Sequence, residues 1–138
     1  MIQWLKGKSF LTGRSGDMVE GALTMPLMAL VALALVNLAL AGYCSVTANN
    51  AANYAARVAS VSQTDPVGRG LAAAQHALAS GVGTYQVQVT ADTAPGGQVT
   101  VRVGWEFPNV YGSLMPLFGG ANQPLKGEAV SAFRKEGW

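Results

Sequence analysis

The sequence predicts an α+β protein with a long N-terminal transmembrane and stalk helix, a short second helix, and a small three-stranded antiparallel sheet. Three observations carry this prediction. Glu20 and Arg57 bracket 36 residues without an Asp, Glu, Lys or Arg. Two later segments, 84–90 and 98–107, alternate apolar and polar residues with the period of two expected of a half-buried strand. Residues 125–133 supply a third apolar segment of strand length.

Composition sets the limits. The chain has 138 residues, enough for one domain or for one membrane span with a small domain. Hydrophobic residues make up 50% and charged residues only 12%, against roughly 25% charged in an ordinary soluble domain. Mean hydropathy is +0.26. This excludes disorder for most of the chain, since disorder needs low hydrophobicity and high charge. The net charge of +2 and the lack of a Lys/Arg stripe exclude nucleic acid as a partner. A single Cys permits no internal disulfide framework and no thiolate metal site, and a single His permits no imidazole cluster. The expectation is therefore a protein that is not an enzyme, with no cofactor, no metal and no small-molecule substrate.

The first helix is expected over 17–62, behind a basic leader, 1–16. Its apolar part runs from Ala22 to Tyr43, with Thr24 and Asn37 its polar members. About 20 helical residues cross a hydrocarbon core of ~30 Å, so 22–43 is the expected span. The competing reading is a cleaved secretory signal, with Ala39-Leu40-Ala41 as its small-residue site. The apolar run is longer than such a signal needs. Lys6, Lys8 and Arg14 precede the span and no basic residue follows until Arg57. This places the N-terminus in the cytoplasm and the rest outside a bacterial inner membrane. Pro26 is expected to kink the helix, because it lacks the N–H that the preceding turn would use.

Beyond the span the helix is expected to continue as a stalk. Residues 44–62 contain no Pro or Gly and are rich in Ala, the best helix former. Ala51, Ala55 and Ala59 repeat every four residues, as do Ala48, Ala52 and Ala56. Small residues at that spacing let another backbone approach closely. The partner is the chain's own domain, a copy or homologue, or both at different heights, and the sequence leaves these open.

The outer domain is expected over 63–138. Asp65 caps a second helix with Pro66 at its first position, and Gly81 and Gly83 end it. Thr93 to Gly97 form the turn of a hairpin between strands 84–90 and 98–107. Residues 108–124 read as an irregular loop. Tyr111, Leu114, Met115, Leu117 and Phe118 there cover the core or offer a surface. His76, Glu106 and Glu128 read as structural or solvated residues. Cys44 is either a packed small hydrophobe or an interchain thiol.

Glu20 stands apart. It opens an otherwise uncharged span, where an unpaired carboxylate is costly. Asp17 and Glu20 also suit the positive end of a helix dipole.

Residues 16–26, GDMVEGALTMP, resemble the N-terminal segment of TadE-like minor pseudopilins of tight-adherence pili. The matching positions are Val19, Glu20, Ala22, Leu23 and Pro26. Asn49 to Ala59, NNAANYAARVA, is similar to that family's Asn-Ala-Ala…Ala-Arg stretch after the span. A Val-rich strand, an aromatic–Pro loop and a closing strand ending in Arg134 and Glu136 add a looser third match. The resemblance implies a pilin-like fold and cleavage by a prepilin peptidase on the cytoplasmic face. The candidate bonds lie at Ser15, Gly16 and Asp17. A cut after Ser15 makes Glu20 the fifth mature residue, and a cut after Gly16 makes it the fourth. A cut after Gly13 would make it the seventh.

The resemblance further implies a structural or assembly component of the pilus, with other pilins, pseudopilins and the inner-membrane assembly machinery as partners. Glu20 would then set axial register against the new α-amine of a neighbouring subunit. The alternative is a membrane-anchored envelope binding module unrelated to pili.

Overall fold

The computed structural model describes residues 12–92, 94, 96–113, 116, 119 and 121–136, with side chains from Met18 onward except that of Ser113. The fold is α+β, with element order α1 (Thr12–Val61), α2 (Pro66–Leu78), β1 (Thr84–Ala91), β2 (Gln98–Phe107), a 3-10 turn (Val110–Ser113) and β3 (Leu125–Arg134). Two compact units divide the chain between Val36 and Asn37.

In the first unit α1 is already helical at Thr12, five residues ahead of the expected start. Gly13 and Gly16 are weak helix formers but do not interrupt the ladder the way a Pro would. The helix also runs through Pro26. There the missing N–H frees one carbonyl, that of Ala22.

The second unit begins at Asn37. Three strands in the order β1-β2-β3 pair antiparallel throughout. The register sets Val87 against Val103, Val89 against Val101, and Val101 in turn against Ser131. Side chains alternate between faces along a strand. Val99, Val101, Val103 and Phe107 of β2 therefore share one buried face. Arg102, Glu106, Lys126 and Glu128 lie on the opposite, exposed face.

That apolar face meets α1 and α2. The core combines Ala48, Ala51, Ala52, Ala55 and Ala56 of α1 with Ala74 and Leu78 of α2, Val101 and Val103 of β2 and Ala129 of β3. A lone hairpin is marginal in water, and the two helices supply the cover it needs. At the α2 start the Asp65 carboxylate accepts from the Gly68 N–H at 2.8 Å, with Pro66 at the first helical position. This satisfies one of the orphan donors of the first turn.

Two glycines are dictated by their neighbours. Gly83 has φ +104°, and a Cβ there would lie 2.8 Å from Glu106 O and 3.3 Å from Cys44 Sγ. Gly127 faces Trp105 across the ladder, where a Cβ would lie 2.7 Å from the indole Cζ2. Trp105 thus covers the strand where β3 has no side chain.

Candidate functional site

In the first unit, the helical surface is apolar on every side. Met18, Val19, Leu23, Met25, Leu27, Met28, Val31, Leu33, Leu35 and Val36 are all exposed, Met18 to 80%. A helix that is hydrophobic all round belongs in an apolar surrounding. The most apolar 18-residue window has a mean hydropathy of 2.2 with 6% of it buried, so α1 is long and apolar enough to cross a membrane.

Glu20 sits on this helix with its side chain exposed. Its backbone carbonyl accepts from Thr24 Oγ1 at 2.8 Å. The hydroxyl of one of the span's polar residues is thus turned back onto the helix, which spares it an unpaired position in an apolar medium. Ser15, Gly16 and Asp17 lie in the helical backbone of α1, while their side chains fall outside those described. The leader residues 1–11 also lie outside the described residues, as do Leu114, Met115, Leu117 and Phe118.

In the second unit Ala48, Ala51, Ala52, Ala55, Ala56 and Ala59 are all fully or almost fully buried. The chain's own sheet and α2 occupy this face. Of the two partners left open by the spacing, the intramolecular one takes these six residues, so they are closed to a copy or homologue. The exposed side of the same stretch carries Asn49, Asn50, Asn53, Tyr54 and Arg57.

Cys44 is completely buried, and its Sγ donates to Val82 O at 2.7 Å. Of the two readings of Cys44, the structure shows the packed one, with a hydrogen bond added. Tyr85 OH donates to the same carbonyl at 2.9 Å. Burial, followed by the neighbouring Cys44 thiol, pushes the Tyr85 phenol up from 10.0 to about 12. Desolvation disfavours the phenolate, so this tyrosine stays a donor far into the alkaline range.

Two polar links were missed from sequence. Asn37 is 6% exposed, and its Nδ2 donates to Asn109 Oδ1 at 3.2 Å. The same oxygen receives the Tyr111 N–H at 3.0 Å. Ser131 Oγ donates to Asn53 Oδ1 at 2.7 Å. The available signal for the first was an Asn inside an apolar run.

The exposed sheet face carries a hollow of about 320 Å³, lined by Thr84, Gln86, Gly104, Trp105, Glu106, Lys126, Gly127 and Glu128. It exists because Gly104 has no side chain between Gln86 and Glu128, its ladder neighbours. Arg102 reaches Glu128 at 3.5 Å with both side chains half exposed. Such a pair contributes little. His76 is exposed on α2. Among the described residues no three His, Cys, Asp or Glu side chains group to hold a metal.

No family model, curated protein or solved structure matches this chain.

Proposed function

We propose that this chain is a minor pseudopilin, an anchored structural or assembly component of a tight-adherence pilus. One observation carries the reading. Glu20 is a lone carboxylate near the start of an all-round apolar helical segment, Met18–Val36, and a folded α+β unit follows that segment directly. A plain anchor gains nothing from a carboxylate there, since burying it unpaired is costly. A subunit that must align with its neighbours does gain. Cleavage at Ser15, Gly16 or Asp17 creates an α-amine close to Glu20. In a low-dielectric surrounding an amine and a carboxylate on adjacent subunits neutralise each other. Apolar helices otherwise slide freely, so the pair fixes axial register. Lys6, Lys8 and Arg14 hold the leader in the cytoplasm and put the second unit outside the inner membrane.

The test is the N-terminal sequence and intact mass of the protein purified from native membranes. A chain beginning at Gly16 or Asp17 supports prepilin-type processing. An intact Met1 sinks it and leaves a signal-anchored envelope module. A start after Ala41 means a secreted domain. Glu20→Ala separates the register role from anchoring: processing continues, pilus assembly fails, and intact pili in that variant rule the role out.

A further inference from the structure

The two outer edges of the sheet differ in charge. In the order β1-β2-β3, β1 and β3 each pair with β2 alone. Every second residue of an edge strand turns its N–H and C=O away from the ladder. Among the described residues, no other backbone group bonds to those of β1 or β3. Such an edge invites a further strand, and charged side chains are a common guard against it. β3 is guarded in this way by Lys126, Glu128 and Arg134. β1, TYQVQVTA, carries no charge and no Pro.

Beside β1 lies an uncharged hollow. Val101 and Val103 of β2 are completely buried. Their partners on β1, Val89 and Val87, share the same face and are only half-buried. α2 comes close to β1 at Gly70, where a Cβ would lie 3.3 Å from Val89 Cγ1. Elsewhere the helix and the strand leave between them a hollow of about 300 Å³, lined by Leu71, Gln75, Leu78, Ala79, Tyr85 and Val87. Tyr85 OH is engaged with Val82 O. The Gln75 amide is the other polar side-chain group of this lining. On a strand added beside β1, a side chain opposite Tyr85 or Val87 points to the same side as they do. It would therefore enter the hollow.

We infer that the β1 edge and the hollow between α2 and β1 bind an extended, uncharged segment of another protein. The segment adds to the sheet as a fourth strand and sets an apolar side chain against Leu71, Leu78 and Val87. The chemistry of the occupant follows from the surface. Outward N–H and C=O groups at strand spacing are matched by another extended backbone, and the pocket beside them selects the side chain. The hollow offers no charge to pair with one, so a charged side chain there would be buried unpaired at a cost. The uncharged edge is thus matched to an uncharged strand. The β3 edge of a second copy is the wrong complement, because it brings Lys126, Glu128 and Arg134.

The experiment uses the full chain in detergent. The probe is a short acetylated and amidated peptide of alternating Thr and Val, with a polyethylene glycol tail for solubility. Hydrogen exchange of individual amides, read by NMR, reports on both edges. The expected result is severalfold slower exchange at alternate β1 amides with peptide and no change along β3. Gln75→Glu places a charge at the hollow and should weaken binding about tenfold. Gln88→Glu, on the opposite face of β1, should have little effect. Both positions are exposed, so the variants keep the fold. Unchanged β1 exchange at about 1 mM peptide, a concentration that detects even weak binding, overturns the proposal, as does protection of β3 instead. Equal losses from the two variants overturn the use of the hollow. Alternate β1 amides that are already slow without peptide, and slower at higher protein concentration, make a second copy the occupant and overturn the proposal as well.

Discussion

Ser131 Oγ on β3 donates to Asn53 Oδ1 on α1 at 2.7 Å, joining residues 78 apart in sequence. The hydroxyl belongs to the buried face of the sheet, where it replaces an apolar contact with a directional one. Ser131→Ala is expected to destabilise by about 1 kcal/mol, the usual net value of one hydrogen bond. Asn53→Ala is expected to cost a similar amount, and the double variant less than the sum. Chemical denaturation of the four proteins in one detergent measures the coupling, and strict additivity would show that the bond contributes nothing.

The alanine face leaves no spare volume. Ala55 is fully buried against the sheet and α2. Ala55→Leu inserts three heavy atoms there and is expected to cost about 1–3 kcal/mol or more through displaced neighbours. Leu at the exposed Asn50 should change stability by less than about 0.5 kcal/mol. Equal melting temperatures for the two variants would contradict the packing.

Cys44 is expected to resist maleimide in the folded protein and to react fully after denaturation, because its thiol is buried and already donating to Val82 O. Mass spectrometry of labelled protein reads this directly. Cys44→Ser keeps a donor for the carbonyl, whereas Cys44→Ala leaves Tyr85 as its side-chain donor. The serine variant should therefore be the more stable of the two.

Alkaline pH should weaken the second unit. The Tyr85 phenol is raised to about 12 in the fold, so folding favours its protonated form. Above pH 10.0, the ordinary value, the unfolded chain loses this proton while the folded chain keeps it. The stabilisation is complete below that pH and falls as pH rises toward about 12. Tyr85→Phe should be less stable at neutral pH, having lost the bond to Val82 O, and should show a shallower decline across that window. Phenolate absorbance should resolve a tyrosine that titrates at about 12.

Asp65→Ala removes the side-chain acceptor of the Gly68 N–H. A lost N-cap costs about 1 kcal/mol. Asp65→Asn should retain most of it, and circular dichroism through thermal unfolding compares the three proteins.

Much of the fold was legible because its signals are local. The alternation in 98–107 marks β2 with the bounds seen in the structure, Gln98–Phe107, since one buried face forces a period of two. Asp65-Pro66 marks the start of α2 for an equally local reason. The burial of one face of α1 from Asn37 onward was not legible. Ala41 and Cys44 are apolar whether lipid or protein covers them, so hydropathy alone does not tell which one does. The residue that breaks this degeneracy is Asn37, and its partner lies 72 positions away. Asn53 and Ser131 were hidden in the same way. The alanine repeat showed that something packs closely on α1, but its spacing carries no information on whether the partner is the same chain.

The second unit is fastened to α1 at four heights. Asn37 binds Asn109, Cys44 binds Val82, Asn53 binds Ser131, and Ser60 O accepts from the Glu136 N–H. These points are spread over 23 residues, about 35 Å of helix. A pull along the helix axis loads all four at once, in shear, together with the interlocked alanine face between them. A pull across the axis would open them one at a time from an end. The unit is thus built to resist traction along α1 better than a pull across it.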